Sequence, residues 1–138
     1  QIELHPYLQQ NSMLEYCQSE GIHLTAYSPL GSSAAAAMLE KKNKPTLFEH
    51  PTVKRIANDH NCTSAQVLIQ WAIDRGTSVI PKSINPQRIQ QNFDSIHVPL
   101  TANDRDEMSS LDMHFRFVDG TFWALEGSPY TLEALWDE

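Results

Sequence analysis

The chain has 138 residues, 41% hydrophobic and 20% charged, which is globular composition at the size of one domain and too short for two full domains. A formal charge of −7 argues against a surface built to collect phosphate backbones, so nucleic acid is not an expected partner and any anion site has to be a local basic pocket on an acidic molecule. No apolar run approaches the roughly 20 residues of a membrane span. Cys17 and Cys62 stand in no metal-like or disulfide-framework spacing, so no metal is expected and a reducing, cytoplasmic compartment is the simpler reading.

In chain order, Gln1–His5 alternates, with Ile2 and Leu4 on one face and Gln1, Glu3 and His5 on the other, which predicts a strand that Pro6 interrupts. Ser12-x-x-Glu15 has the spacing of a capping box for a helix that Asn11 or Ser12 caps, with Met13, Leu14 and Cys17 available for its buried stripe and Gly21 to end it. The strand pattern then recurs: Ile22, Leu24 and Ala26 alternate against His23, Thr25 and Tyr27 as far as Pro29. Gly31–His50, with its Ala34–Ala37 run, its Lys41-Lys42-Asn43-Lys44 cluster and Pro45, reads as a long loop with room for one helical turn. A helix runs from Pro51 to about His60 with Val53, Ile56 and Ala57 spaced for burial. Thr63 caps a second helix, carrying Ala65, Leu68, Ile69 and Ala72, which Gly76 closes. Thr77–Lys82 is a third strand around Val79 and Ile80. Asn85 and Pro86 form the N-cap and first position of a short helix through Phe93, and Thr101-x-x-Asp104 starts another towards Met113. His114–Glu138 is rich in aromatics but broken by Gly120, Gly127 and Pro129, so it is expected to be a tail without regular structure that packs on something.

Strands separated by helices imply a parallel α/β arrangement, because parallel neighbours need a crossover. Polar Gln1, Glu3, His23 and Thr25 on one strand face suit a barrel interior better than a helix-covered sheet. A complete eight-stranded barrel takes roughly 250 residues, so the chain is expected to be its last three β/α units plus a tail. Function in such barrels lies at the C-terminal strand ends, here His5-Pro6-Tyr7, Tyr27–Ser32 and Lys82–Arg88. The third is the most informative, because a lysine at a strand end, small polar side chains, helix N-terminal amides and an arginine in the first turn converge on a phosphate. The competing reading is an ordinary N-cap with solvated charges. Tyr27 fits either ring stacking on a flat ligand or core packing, while His5, His23 and Tyr7 fit acid–base chemistry or, more commonly, structural roles. No G-x-G-x-x-G, Walker loop, G-x-S-x-G or H-E-x-x-H pattern occurs.

Taken together, Gln-Ile-Glu-Leu-His-Pro-Tyr at 1–7, Thr-Ala-Tyr-Ser-Pro-Leu-Gly at 25–31 and Ile-Pro-Lys-Ser-Ile-Asn-Pro-x-Arg at 80–88 resemble the last three barrel strands of the aldo-keto reductase family. Ser64–Trp71 resembles the helix before that family's final strand, and the tail is similar to fungal members that reduce glyceraldehyde, xylose or related small carbonyls. The resemblance implies a partial (β/α)8 barrel domain over 1–138, with 112–138 as a C-terminal substrate loop. It also implies NADP(H) as cofactor and a small aldehyde or ketone as substrate. Gln1 then matches the residue that binds the nicotinamide carboxamide, and Tyr27 the ring that stacks on the nicotinamide. Ser28, Leu30 and Ser32 match the pyrophosphate lining. Lys82, Ser83, Asn85 and Arg88, with Ile84 beside them, match the 2′-phosphate pocket, and Gln91 and Asn92 the adenine contacts.

Two positions depart from the family pattern. Gln91 stands where glutamate is usual, and the loop after Ser32 lacks the acidic residue that helps strap the cofactor down in many relatives. The family's catalytic Asp, Tyr, Lys and His belong to its first four strands, upstream of Gln1, so no catalytic residue is assigned here. The implied function is therefore the cofactor-binding C-terminal part of an NADPH-dependent carbonyl reductase, inactive without the missing N-terminal barrel half. The alternatives are a truncated, non-catalytic NADP(H)-binding or protein-interaction module, and an unrelated α/β fragment.

Overall fold

The computed structural model describes residues 1–32, 37 and 43–136. Strands β1 (Ile2–Glu3), β2 (Thr25–Tyr27) and β3 (Ser78–Val79) form one parallel sheet in the order β1-β2-β3. The register sets Ile2 beside Ala26 and Ala26 beside Val79, and on the other face sets Glu3 beside Tyr27 and Thr25 beside Ser78. Alternation therefore separates an apolar face from a polar one. The apolar face joins a core built around Leu4, Ala26, Val53, Ile56, Leu68, Trp71 and Met108. On the polar face the Thr25 and Ser78 hydroxyls meet at 2.7 Å.

The helices among the described residues are α1 (Asn11–Ser19), α2 (Pro51–Asp59), α3 (Ser64–Asp74), α4 (Pro86–Phe93), α5 (Ala102–Ser109) and α6 (Leu132–Trp136). Helix α3 buries every residue from Val67 to Ala72, because it lies between α2 and the sheet. Its start is the expected one: Thr63 Oγ1 accepts from the Gln66 N–H while Gln66 Oε1 accepts from the Thr63 N–H. Asn85 caps α4 by accepting from the Arg88 N–H at 3.0 Å, and Thr101 with Asp104 forms a reciprocal box on α5. The stripe of Val53, Ile56 and Ala57 in α2 is buried as its spacing predicts, and His50 Nδ1 caps that helix by accepting from the Thr52 N–H.

Several local expectations fail for tertiary reasons. The predicted box at Ser12 and Glu15 is absent: α1 begins a residue earlier, after Gln10 in the left-handed region at φ 53, and no side chain caps it. Gln10 instead donates to the Glu3 carbonyl, and Met13 stays 46% exposed while Leu14 and Cys17 are buried. The strands are shorter than their alternation suggests, since β1 and β3 each pair on one side only and Ile22, before β2, is half exposed. In the long loop a 3-10 turn forms at Leu47–Glu49; residues 33–36 and 38–42, with most of the alanine run and Lys41-Lys42, lie outside the described residues. Helix α5 stops at Ser109, short of Met113, because the Met113 and Phe115 N–H groups donate to the Tyr7 carbonyl at 3.3 and 2.9 Å and turn the chain away. The tail does contain a helix, α6. It is held where Trp136 Nε1 donates to the Asp119 carbonyl at 2.8 Å and the Arg116 guanidinium lies 4.1 Å from the Trp136 ring centroid.

Candidate functional site

The C-terminal ends of β2 and β3 open onto a cavity of about 800 Å³, within the usual range for small-molecule sites. Ser28 to Ser32 form one wall; Pro81, Lys82, Ser83, Arg88, Gln91 and Asn92 form a second. A third comes from Phe48, Glu49, Lys54 and the start of α3 at Ser64 and Ala65. Three segments far apart in sequence thus converge because β2 and β3 are parallel neighbours and α4 follows β3 directly. Ser28 sits at φ 51 and Gly31 at φ 78, so the backbone turns sharply as it leaves β2.

Electrostatically the cavity inverts the sign of the chain. Among the described residues, Lys54, Lys82 and Arg88 face it against the carboxylate of Glu49, which Lys54 pairs. Lys82 and Arg88 form no ion pair with any described residue. These two cations, hydroxyls at Ser28, Ser32 and Ser83 and amides at Gln91 and Asn92 make a donor set suited to a phosphorylated, hydrogen-bonding ligand.

Of the twelve residues named from sequence, Ser28, Leu30, Ser32, Lys82, Ser83, Arg88, Gln91 and Asn92 line this cavity. Asn85 caps α4 at its edge, Ile84 is 82% exposed, and Gln1 is exposed at the start of β1. Tyr27 is half-buried on the polar sheet face, beside Glu3. Burial, and then the charge of Glu3, push its phenol above the usual value, with Arg116 opposing. Phe48, Ser64, Ala65 and the Glu49–Lys54 pair were not visible as site residues from sequence. Periodicity put Ala65 on a core stripe, and nothing local marks Phe48, whose carbonyl accepts from Ser64 Oγ only once α2 and α3 have packed.

The first strand end plays a different part. His5, Pro6 and Tyr7 are buried and line neither this cavity nor the apolar one beside β3. Tyr7 donates to the Pro45 carbonyl at 2.6 Å, and burial pushes its phenol up to about 12, which makes it a weaker acid as well as one turned away from the cavity. His5 Nε2 meets Glu3 Oε1 at 2.9 Å; a carboxylate only accepts, so Nε2 carries the hydrogen. Glu3 also accepts from the Phe117 N–H at 2.5 Å and the Val118 N–H at 3.0 Å. Burial raises its pKa, but the bonds from His5, Phe117 and Val118 outweigh that and hold it below the ordinary carboxylate value. Acid–base roles for His5 and Tyr7 thus give way to a structural one, in which this strand end docks the tail. His23 is exposed and meets Ser78 Oγ at 3.2 Å, away from the cavity lining.

Residues 1–113 match the family model of the aldo/keto reductase family. The whole chain is 49% identical to an aldo/keto reductase of Synechocystis sp. and covers 42% of it. Over 89% of its length it is 46% identical to an NAD(P)H-dependent D-xylose reductase of Candida tropicalis, covering 39% of that protein. The corresponding enzyme of Candida tenuis is 44% identical over 89% of the chain, again covering 39% of the relative. The chain therefore spans about two fifths of the length of these curated relatives.

Proposed function

The chain belongs to the aldo/keto reductase family, and from that premise we propose that it is the C-terminal part of an NADPH-dependent carbonyl reductase and forms the cofactor grip of the whole enzyme. The observation that carries the reading is the convergence of Ser28–Ser32 and Pro81–Asn92 on one cavity that holds Lys82 and Arg88, neither ion-paired to a described residue, in an acidic chain. Lys82 and Arg88 hold the 2′-phosphate, the group that distinguishes NADPH from NADH. Ser28, Leu30 and Ser32 lie along the pyrophosphate, and Gln91 and Asn92 meet the adenine. As an amide, Gln91 accepts from the adenine amino group without the charge assistance of a glutamate. Gln1 binds the nicotinamide carboxamide and Tyr27 stacks on the ring, its raised phenol pKa keeping that ring uncharged. NADPH, when bound, supplies the hydride for reduction of a small aldehyde or ketone. As the family resemblance implies, the proton for the carbonyl oxygen comes from a tyrosine upstream of Gln1; Tyr7 is buried with its hydroxyl on the Pro45 carbonyl. Residues 112–138 close the substrate side, and the location is cytoplasmic.

The test is Lys82→Ala with Arg88→Ala in the full-length protein. Loss of two charge-assisted contacts raises the Kd for NADPH about a hundredfold, with NADH affected far less. Equal NADPH affinity before and after overturns the assignment. A second reading, a non-catalytic NADP(H)-binding or protein-interaction module, is favoured by the apolar side chains exposed beside β3, among them Ile84 and Phe93. The intact mass of the native protein separates the two: about two and a half times the mass of this chain, as the two-fifths share of the relatives' length implies, supports the enzyme, and the mass of this chain alone supports the module.

A further inference from the structure

The tail and the wall of the cavity meet at one ring. Phe117 lies against Gly31, so closely that a Cβ on Gly31 would stand 2.9 Å from Phe117 Cζ and 3.3 Å from Leu47 Cδ1. The same ring packs edge-on to His5 at 4.7 Å and to Phe115 at 5.2 Å. What sets its height is the backbone behind it: the Phe117 and Val118 N–H groups both donate to Glu3, which is 2% exposed and held from the other side by fully buried His5. Glu3 and the tail residues are more than a hundred positions apart, so this is a tertiary link between β1, the tail and the segment leaving β2.

We infer that Glu3 is a positioning residue: by pinning the Phe117–Val118 backbone it presses the Phe117 ring onto Gly31 and couples the seating of the tail to the shape of the Ser28–Ser32 wall. A buried carboxylate accepting several N–H bonds is a rigid peg, because each donor would be stranded without it. Gly31, at φ 78, has no side chain to fill the gap if the ring withdraws, and its permissive backbone leaves the wall free to shift once the ring no longer holds it. Tail and wall then share one equilibrium, and by linkage whatever steadies one steadies the other. The inference rests on the cofactor assignment above only where it concerns NADPH.

Two variants of the full-length protein test it. Glu3→Gln keeps the side chain's size but turns one acceptor into a donor facing a backbone N–H. Amide hydrogen exchange at Phe117 and Val118 should then quicken together with exchange at Leu30–Ser32, exchange in α3 should not change, and NADPH should dissociate about tenfold faster. Phe117→Ala leaves the Glu3 bonds in place but removes the ring: Leu30–Ser32 should loosen and NADPH dissociate faster while the amides at 117 and 118 stay protected. If Glu3→Gln frees the tail amides and leaves both Leu30–Ser32 exchange and NADPH release as in the parent, the coupling is refuted while the cofactor assignment stands. If the parent binds no NADPH, the assignment fails, and the exchange comparison without nucleotide still decides the coupling. Should Glu3→Gln fail to fold, Phe117→Ala alone decides it: unchanged exchange at Leu30–Ser32 overturns the inference.

Discussion

At Asp104, 4% exposed, one carboxylate ties the end of α2 to the start of α5: it accepts from His60 Nε2 at 2.8 Å and from the Thr101 backbone and hydroxyl at 2.9 and 2.7 Å. Burial pushes its pKa up, but these bonds prevail and hold it at about 2. Because the folded value lies below the unfolded one, its contribution is present in full above the ordinary aspartate range and is lost as pH falls towards 2. Unfolding free energies from urea titration of the full-length protein and of Asp104→Asn should therefore differ at neutral pH by about 1–3 kcal/mol and converge as the pH drops from about 4 to 2. Tyr7 gives the complementary case. Tyr7→Phe removes the bond to the Pro45 carbonyl and should lower stability by about 1 kcal/mol. The pH profile of carbonyl reduction should stay where it was; a lost alkaline limb would mean that Tyr7 is an acid after all. Neither partner, His60 or Pro45, is named by any local pattern, since each is dozens of positions away.

Helices α3 and α4 begin with equally legible caps, yet the two caps serve different ends. Thr63→Ala removes half of a reciprocal box from a helix buried along most of its length, at a cost of about 1 kcal/mol. For the full-length protein that lowers Tm by about 2–4 °C. Asn85→Ala frees the Arg88 N–H of a helix with no buried residue. Its effect should be small in Tm and visible in NADPH affinity, because α4 carries Arg88, Gln91 and Asn92 to the cavity wall. Scanning calorimetry and nucleotide titration of both variants check the contrast; equal Tm losses would mean that α4 is part of the cooperative core. Where the expected capping box failed, in α1, the residues were suitable but the helix start had been set by Gln10 reaching back to the Glu3 carbonyl.

Across the whole molecule, no further strand among the described residues pairs with β1 or β3, and apolar side chains crowd the β3 side. Ile69, Ile73, Val79, Ile89, Phe93 and Ile96 line a groove of about 570 Å³ beside β3, with Phe93 70% exposed. An uncovered strand edge flanked by such a patch is an association hazard. Expressed alone, the 138-residue chain should self-associate at micromolar concentration, read by light scattering, and Phe93→Glu should shift it towards monomer. A monodisperse, monomeric parent chain would refute the idea that this face needs cover. The chain alone should also show no carbonyl-dependent NADPH oxidation.

Periodicity and caps written into the chain determined most elements: the stripe of α2, the boxes at Thr63 and Thr101, the cap at Asn85, and the alternation that sorts Ile2 and Leu4 from Glu3 and His5. These signals act over four or five residues, within the reach of one side chain, so they survive in one dimension. The motif residues of the second and third strand ends were legible for the same reason. Tertiary structure alone decided which of them share a cavity, that Phe48 and the Glu49–Lys54 pair complete its wall, that α5 ends early on the Tyr7 carbonyl, and that Glu3 holds the tail. Those outcomes depend on groups distant in the chain satisfying one another's hydrogen bonds and filling one another's space, and only the packed fold brings them within contact range.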